Sequence, residues 1–95
     1  MTLTIVAQIT ATQGKEALLQ AELEKLITPT RAEEGCLQYD LHVDNEAPGF
    51  FVFYENWTSD ALLQAHLKAP HLDAFRAATQ GAVARFVLNK MTRIA

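Results

Sequence analysis

Three segments of the chain are predicted to form β-strands, and the first two alternate between apolar and polar positions every second residue, which is the period of a strand. These segments span residues 3–11, 36–44 and 50–58. The first has one strongly apolar face, whereas the third is hydrophobic on both faces, as expected of a strand that is covered on both sides. A fourth strand is predicted over residues 86–94, at the end of the chain.

The stretch that follows the first predicted strand has the helical period instead. Between residues 15 and 27, apolar side chains recur at helical spacing and charged side chains occupy the other positions, which predicts an amphipathic helix. Pro29 is expected to distort this helix because it lacks a backbone N–H. A last turn over residues 31–34 is expected to continue up to Gly35, since glycine suits the position just after a helix.

A second helical region follows the third predicted strand. Ser59 is a good N-cap, and apolar residues then recur at helical spacing over 61–69. Pro70 interrupts the pattern, and residues 71–80 are predicted to form a second helical piece. This region therefore supplies the second helix of the fold.

The predicted order of elements is β-α-β-β-α-β, which indicates an α+β ferredoxin-like sandwich with a four-stranded antiparallel sheet in a single domain over residues 1–95. In this fold both helices pack on one face of the sheet. The other face is then uncovered, although the strands offer apolar residues to both sides. We therefore expect a homodimer in which two sheets pack face to face.

The amino-acid composition limits the kinds of protein and partner that fit this chain. Hydrophobic residues make up 49% of 95 residues, which is high for so small a domain and favours self-association. Eight basic and eleven acidic residues give a net charge of −3, which argues against a nucleic-acid partner. A single cysteine, Cys36, excludes an internal disulfide and a cysteine-built zinc site. Without an apolar run of membrane-span length or a signal-peptide pattern, we expect a cytoplasmic protein with no membrane contact.

Chemistry-bearing residues are densest around the third predicted strand. Glu55 and Trp57 are two positions apart, so their side chains point to the same side as Phe51 and Phe53. A carboxylate among aromatic rings loses hydration, which raises its pKa and suits it to act as a general base near neutral pH. The structural alternative is that Glu55 is bonded to an arginine such as Arg76 or Arg85.

The histidines are ambiguous. His66 lies on the apolar side of its predicted helix near Leu62, where it is either a packed core residue or a base. His66 and His71 are five residues apart across a proline, which is not the spacing of a helical zinc pair. Since the only other histidine is His42, no metal site is predicted. Trp57 and Tyr39 likewise have either a packing role or a role at a site. No glycine-rich phosphate loop is present, so no nucleotide cofactor is predicted.

Three stretches of this chain carry a resemblance to a known family. Residues 31–39 contain E-G-C, residues 53–57 contain E-x-W, and residues 65–75 contain H-x(3)-P-H. In this ordered set the chain resembles the antibiotic biosynthesis monooxygenase family of small ferredoxin-like proteins, which form dimeric α/β barrels. The branch it resembles is that of the quinol monooxygenases. The resemblance implies oxygenation of a quinol or a similar electron-rich phenol with O₂, and no flavin, haem or metal cofactor.

The resemblance also implies roles for individual residues. His66 or Glu55 is expected to act as the base, with Trp57 beside them, and Tyr39 or His71 as the donor that orients the substrate. The expected walls of an aromatic substrate pocket are Phe51, Phe53, Trp57, Leu62 and Phe75. Two other functions stay open: a cofactor-independent isomerase of a small metabolite, and a non-catalytic dimeric binding module. Haem degradation is disfavoured because the first strand lacks the asparagine of that branch, with Gln8 its only amide.

Overall fold

Four antiparallel strands and four short helices make up the fold in the computed structural model, which describes residues 2–95. The elements in chain order are β1 (Leu3–Ala11), α1 (Glu16–Glu24), α2 (Ile27–Arg31), β2 (Cys36–Val43), β3 (Phe50–Trp57), α3 (Asp60–Leu67), α4 (Pro70–Ala78) and β4 (Val83–Met91). The strands lie in the order β2-β3-β1-β4, and every neighbouring pair is antiparallel. The predicted ferredoxin-like α+β fold is therefore confirmed.

The core lies between the helices and one face of the sheet. On this inner face, Ile5, Ala7 and Ile9 of β1 are buried and oppose residues of β3 in register. The partners from β3 are Glu55, Phe53 and Phe51. The helices and the segment between α1 and α2 complete the core with buried leucines at positions 19, 23, 26, 63 and 72. The alternation read from the sequence thus identified the buried face of both central strands.

The helical regions are divided more finely than the sequence pattern suggested. The first predicted helix ends at Glu24 and restarts at Ile27, so that Pro29 lies inside α2. Because proline has no N–H, it cannot bond the carbonyl four residues earlier, that of Lys25, and the break falls there. The predicted cap at Ser59 is confirmed, since its hydroxyl accepts a hydrogen bond from the N–H of Leu62 at 3.2 Å.

Two strand predictions differ from the structure. The last strand is Val83–Met91 rather than 86–94, because Val83 already pairs with Ala11. A shift of register at Thr10/Ala11 disturbs the alternation at the start of this strand, which hid it from the sequence pattern. Strict alternation over residues 36–44 predicts that Leu37 shares the face of Tyr39, but a similar shift of register in β2 leaves Leu37 outside the pairing and 59% exposed.

The outer face of the sheet points away from the helices and is lined by partly or largely exposed side chains. Its apolar members are Val6, Phe50, Val52, Tyr54, Val87 and Met91. On the two central strands this face carries no charged residue, and some of its polar groups form hydrogen bonds along the face. Thr4 donates to Asn56 at 2.6 Å, and Asn56 donates to Gln38 at 2.8 Å. No helix within residues 2–95 combines the length and the apolarity needed to cross a bilayer.

Gly35 provides a test of the packing between the segment before β2 and α3. Its φ is +85°, and a Cβ here would collide with Leu62 and lie 2.8 Å from Oγ1 of Thr58. Gly14 has a similar φ of +88° but has nothing within 4 Å of such a Cβ. We expect Gly14→Ala to lower the free energy of unfolding by about 1–2 kcal/mol through backbone strain. Gly35→Ala should lower the free energy of unfolding by roughly 1–3 kcal/mol more than Gly14→Ala does, because the added methyl group overpacks this contact.

The measurement is urea denaturation of both variants and of the unmodified protein. The dependence of the unfolding free energy on urea concentration should be the same in all three. Equal losses of stability in the two variants would show that the contact with Leu62 does not constrain this segment.

Candidate active site

A cavity of about 570 Å³ lies between the inner face of the sheet and the helices. This volume is typical of pockets for small organic molecules. Its wall is built mainly from apolar side chains of β1, β4 and the helical segments. The titratable and hydroxyl-bearing side chains in the wall are Tyr39, Glu55, His66, Arg76 and Thr79. An apolar cavity with few polar groups is suited to hold an aromatic molecule and orient it.

Glu55 is a buried carboxyl group held by one indole. Its side chain and that of Trp57 project from the inner face of β3, and Nε1 of Trp57 donates a hydrogen bond to Oε1 of Glu55 at 2.9 Å. Burial raises the pKa of Glu55 to about 7, although the hydrogen bond from Trp57 lowers it; the charge of Glu33 adds to the rise. The carboxyl group can therefore exchange a proton near neutral pH.

The arginine partner considered as the structural alternative for Glu55 is absent. In the part of the chain that the structure describes, no ion pair involves Glu55, and the guanidinium of Arg76 lies 3.0 Å from Asp73. Arg76 also donates to the carbonyl oxygen of Leu67 at 2.6 Å. Glu55 is thus not neutralised by a fixed cation, which is why burial dominates its pKa.

His66 is the second proton-carrying group of the cavity. It lies on α3 with 3% of its surface exposed, and its Nδ1 is 2.6 Å from Oε2 of Glu33. Its ring centroid is 4.8 Å from that of Trp57 and 5.6 Å from that of Tyr39. Burial lowers the pKa of His66 below its usual value, while the hydrogen bond and charge of Glu33 oppose this shift. His66 is therefore an uncharged imidazole at neutral pH.

Tyr39 is a further residue of the same wall. Its ring stacks on Phe53 with centroids 4.4 Å apart and meets His66 edge-on at 70°. Burial raises the pKa of the phenol above its usual value, and the charge of Glu55 adds to this shift. Tyr39 therefore stays protonated and can donate a hydrogen bond to a bound oxygen atom.

The structure brings together only some of the residues expected at the site. Tyr39, Phe53, Glu55, His66 and Phe75 all line the cavity. The four expected residues outside its wall are Phe51, Trp57, Leu62 and His71.

These four residues lie behind or beside the cavity for identifiable reasons. Phe51 and Trp57 are almost completely buried in the core, so Trp57 reaches the site through its bond to Glu55 and its ring contact with His66. Leu62 lies against Gly35. Nε2 of His71 lies 3.1 Å from Oγ1 of Thr30 and 3.2 Å from Oε2 of Glu33. The predicted walls therefore differ from the structure at these positions.

Sequence reasoning assigned no role to Glu33. It lies in the connection between α2 and β2, where no periodic pattern assigns a side chain to a face. The only signal was its place in the E-E-G-C stretch of the family resemblance. Glu33, His66 and His71 also form the one group within residues 2–95 whose donor atoms, all within 4.8 Å of one another, are of the types that bind metals. The absence of a metal site stays a prediction.

Comparison with known proteins supports a single family. The family model described as "Antibiotic biosynthesis monooxygenase" matches residues 2–78. The protein named "Probable quinol monooxygenase YgiN" from Escherichia coli K12 is 35% identical over 92 residues, which cover 85% of this chain and 88% of that protein. The crystal structure of PA3566 from Pseudomonas aeruginosa has a TM-score of 0.95 at 37% identity and covers 99% of this chain and 95% of that one. The structure of Rv0793 from Mycobacterium tuberculosis has a TM-score of 0.90 at 28% identity and covers 100% of this chain and 97% of that one.

The buried carboxyl group should make stability depend on pH in a specific direction. Because the pKa of Glu55 is about 7 in the folded protein and 4.5 ordinarily, its contribution is fully present below pH 4.5 and is lost as pH rises through 7. Relative to Glu55→Gln, the unmodified protein should lose about 3 kcal/mol between pH 4.5 and pH 8.

The measurement is chemical denaturation of both proteins at several pH values. Glu46→Gln, at an exposed glutamate, controls for the substitution itself. A constant difference between the unmodified protein and Glu55→Gln across this range would contradict the raised pKa.

Proposed function

The chain belongs to the antibiotic biosynthesis monooxygenase family, and from this premise we propose that it oxygenates a quinol or similar electron-rich phenol with O₂ and without a bound cofactor. The observation that carries the proposal is that Tyr39, Glu55 and His66 line one apolar cavity. The name of YgiN, a relative at 35% identity, supports a quinol as the substrate class.

The cavity walls suit a flat ring. Phe53 contributes aromatic surface from the sheet, and Phe75 contributes aromatic surface from α4. Apolar walls bind the ring and exclude water, and the few polar groups fix the positions of its two hydroxyl groups. Removing water also prolongs the life of a reactive anion, which is what a reaction with O₂ requires.

His66 is the better candidate for the base. Its lowered pKa keeps it uncharged at neutral pH, so that it can accept a proton from the substrate. Its Nδ1 is already engaged by Glu33, which leaves Nε2 for the substrate. Glu55, with a pKa of about 7 and one oxygen bonded to Trp57, then accepts a hydrogen bond from the second hydroxyl group. The Tyr39 hydroxyl donates to the phenolate oxygen.

The reaction needs no redox group on the protein because the substrate supplies the electrons. Deprotonated hydroquinone transfers one electron to O₂, and the resulting substrate radical and superoxide combine to form a C–O bond. After the proton is returned, the ring hydroperoxide loses water: its O–O bond and the adjacent C–H bond break. Hydroquinone and O₂ thus give one hydroxyquinone and one water molecule, so that atoms and electrons balance.

An oxygen electrode tests this proposal with menadiol and other hydroquinones. We expect O₂ uptake above the buffer rate, and a decrease of about 100-fold or more in His66→Ala because general base catalysis is lost. His42→Ala, at an exposed histidine of β2, should retain activity and serves as the matched control. No uptake above buffer for any hydroquinone would end the proposal. Conversion of a substrate without O₂ uptake would instead indicate an isomerase, for which Glu55 is also a suitable proton carrier.

The pH dependence of the same rate separates the two bases. With His66 as the base, the midpoint of the rate should lie below 6.5, because burial lowers the pKa of His66 from that ordinary value. With Glu55 as the base, the rate should rise with a midpoint near 7. A midpoint near 7 that Glu55→Gln abolishes would reassign the base to Glu55.

We also propose that the outer face of the sheet packs against a second copy of the chain. The two central strands, β1 and β3, present no charge on this face, whereas a face that remains in water usually carries charged side chains. Apolar residues such as Val6 and Tyr54 lie at its centre. A twofold axis through this region brings the same residues of both copies together, which is the simplest closed assembly.

Light scattering tests this association through the mass in solution. We expect twice the 10.5 kDa of the chain for the unmodified protein, and the single-chain mass for Val6→Glu, which places a charge at the centre of the outer face. Leu18→Glu is the control, because Leu18 is 41% exposed on α1, on the helical side of the sheet. A dimeric Val6→Glu variant, or a monomeric unmodified protein, would exclude this interface.

A further inference from the structure

We propose that Glu33 is the positioning residue of the site: it holds the His66 ring with the proton on Nδ1, so that Nε2 is the nitrogen that accepts the substrate's proton. The positioning itself is a property of the resting protein. Its consequence for turnover rests on the proposed function.

The backbone around Glu33 holds its side chain in place. Its N–H donates to the carbonyl oxygen of Thr30 at 3.0 Å, and its own carbonyl oxygen accepts from the N–H of Cys36 at 3.3 Å. The next turn of the chain passes through Gly35, whose carbonyl oxygen accepts from the N–H of Thr58 at 2.9 Å. The connection that carries Glu33 is therefore attached to β2 on one side and to the end of β3 on the other.

The contact with His66 selects one tautomer. A carboxylate has only acceptor atoms, so the 2.6 Å contact between Oε2 of Glu33 and Nδ1 of His66 requires the hydrogen atom on Nδ1. In an uncharged imidazole the other nitrogen, Nε2, then carries a lone pair. Without a partner at Nδ1, both tautomers of the ring are accessible, and the ring can also rotate. A carboxylate partner of this kind typically changes activity by 10- to 100-fold where it orients a functional histidine.

A second imidazole lies beside the carboxylate of Glu33. Nε2 of His71 lies 3.2 Å from the same Oε2 atom and 3.1 Å from Oγ1 of Thr30. Thr30 is completely buried, so it fixes one side of the His71 ring. The side chain of Glu33 is itself only 20% exposed. Thr30, His71, Glu33 and His66 thus form one connected polar cluster behind the cavity, which gives His71 a role distinct from substrate binding.

The geometry favours this hydrogen bond over a metal site built from the same three side chains. Two ligand atoms that share a tetrahedral zinc ion at 2.0–2.2 Å are separated by roughly 3.3 Å. Oε2 of Glu33 and Nδ1 of His66 are only 2.6 Å apart, which is the distance of a short charge-assisted hydrogen bond. A hydrogen bond therefore accounts for the spacing of these two atoms.

Nitrogen NMR of the histidine rings tests the positioning without any turnover. Long-range ¹H–¹⁵N spectra of the unmodified protein above pH 7 should show His66 with a protonated Nδ1 and an unprotonated Nε2. In Glu33→Gln the amide can donate as well as accept, so we expect a mixture of the two tautomers. Glu34→Gln, the same substitution at the exposed neighbouring glutamate, should leave the spectrum of His66 unchanged.

Three results would overturn the proposal. The first is a protonated Nε2 on His66 in the unmodified protein, which decides the question even if Glu33→Gln does not fold. The second is an unchanged tautomer in folded Glu33→Gln. The third is stoichiometric binding of added Zn²⁺ that shifts the ring signals of both His66 and His71 and is lost in Glu33→Gln, since it would identify a metal site.

Kinetics then connect the tautomer to the reaction. With a hydroquinone that the unmodified protein oxygenates, Glu33→Gln should lower kcat by 10- to 100-fold and change KM by less than about twofold, because Glu33 lies behind His66 rather than against the ring. An altered tautomer with unchanged kcat would overturn the consequence for turnover. If no hydroquinone is oxygenated, the NMR result still stands or falls by itself.

Discussion

The hydrogen bond between the Trp57 indole and the Glu55 carboxyl group is the contact on which the site depends. A carboxylate with 4% of its surface exposed is costly unless it is paired, and no cation lies within ion-pair distance in the described part of the chain. The single N–H of Trp57, at 2.9 Å, satisfies one oxygen atom of Glu55, a residue of the cavity wall. An arginine in its place would have held the carboxylate permanently charged. The choice of an indole keeps Glu55 titratable near neutral pH.

The pleat of β3 and the packing of α3 place the remaining groups around this contact. Because alternate residues of a strand share a face, Phe53, Glu55 and Trp57 all project toward the helices. Tyr39 of β2 is paired in register with Glu55 of β3. His66 of α3 lies against the ring of Trp57, with the centroids 4.8 Å apart. The groups come from three consecutive elements, β2, β3 and α3; the sheet register sets Tyr39 against Glu55, and the turn after β3 brings α3 back over the sheet.

The sequence predicts side-chain positions well in regular strands, where a fixed period assigns each residue to a face. It predicts them poorly where the backbone is irregular. Alternation identified the inner face of β1 and β3 and placed Glu55 and Trp57 on it. The same logic failed at Leu37 and at the start of β4, where shifts of register break the alternation. Glu33 was not recognised because a side chain in a connecting segment obeys no period. Nor does a shared face determine which residues reach the cavity: Phe51 and Phe53 share a face, but only Phe53 lines the wall.

The two titratable groups of the cavity are shifted in opposite directions by the same physical cause. Burial favours the uncharged form of every group, so it raises the pKa of Glu55 and lowers that of His66. Burial penalises the charged forms, which are the carboxylate of Glu55 and the imidazolium of His66. One hydrogen-bond partner opposes the pKa shift of each group: Trp57 for Glu55 and Glu33 for His66. Glu55, whose pKa is raised to about 7, can therefore hold a proton while His66, whose pKa is lowered from 6.5, is uncharged and can accept one. The family resemblance alone could not have shown this, because it follows from burial and from the positions of two partners.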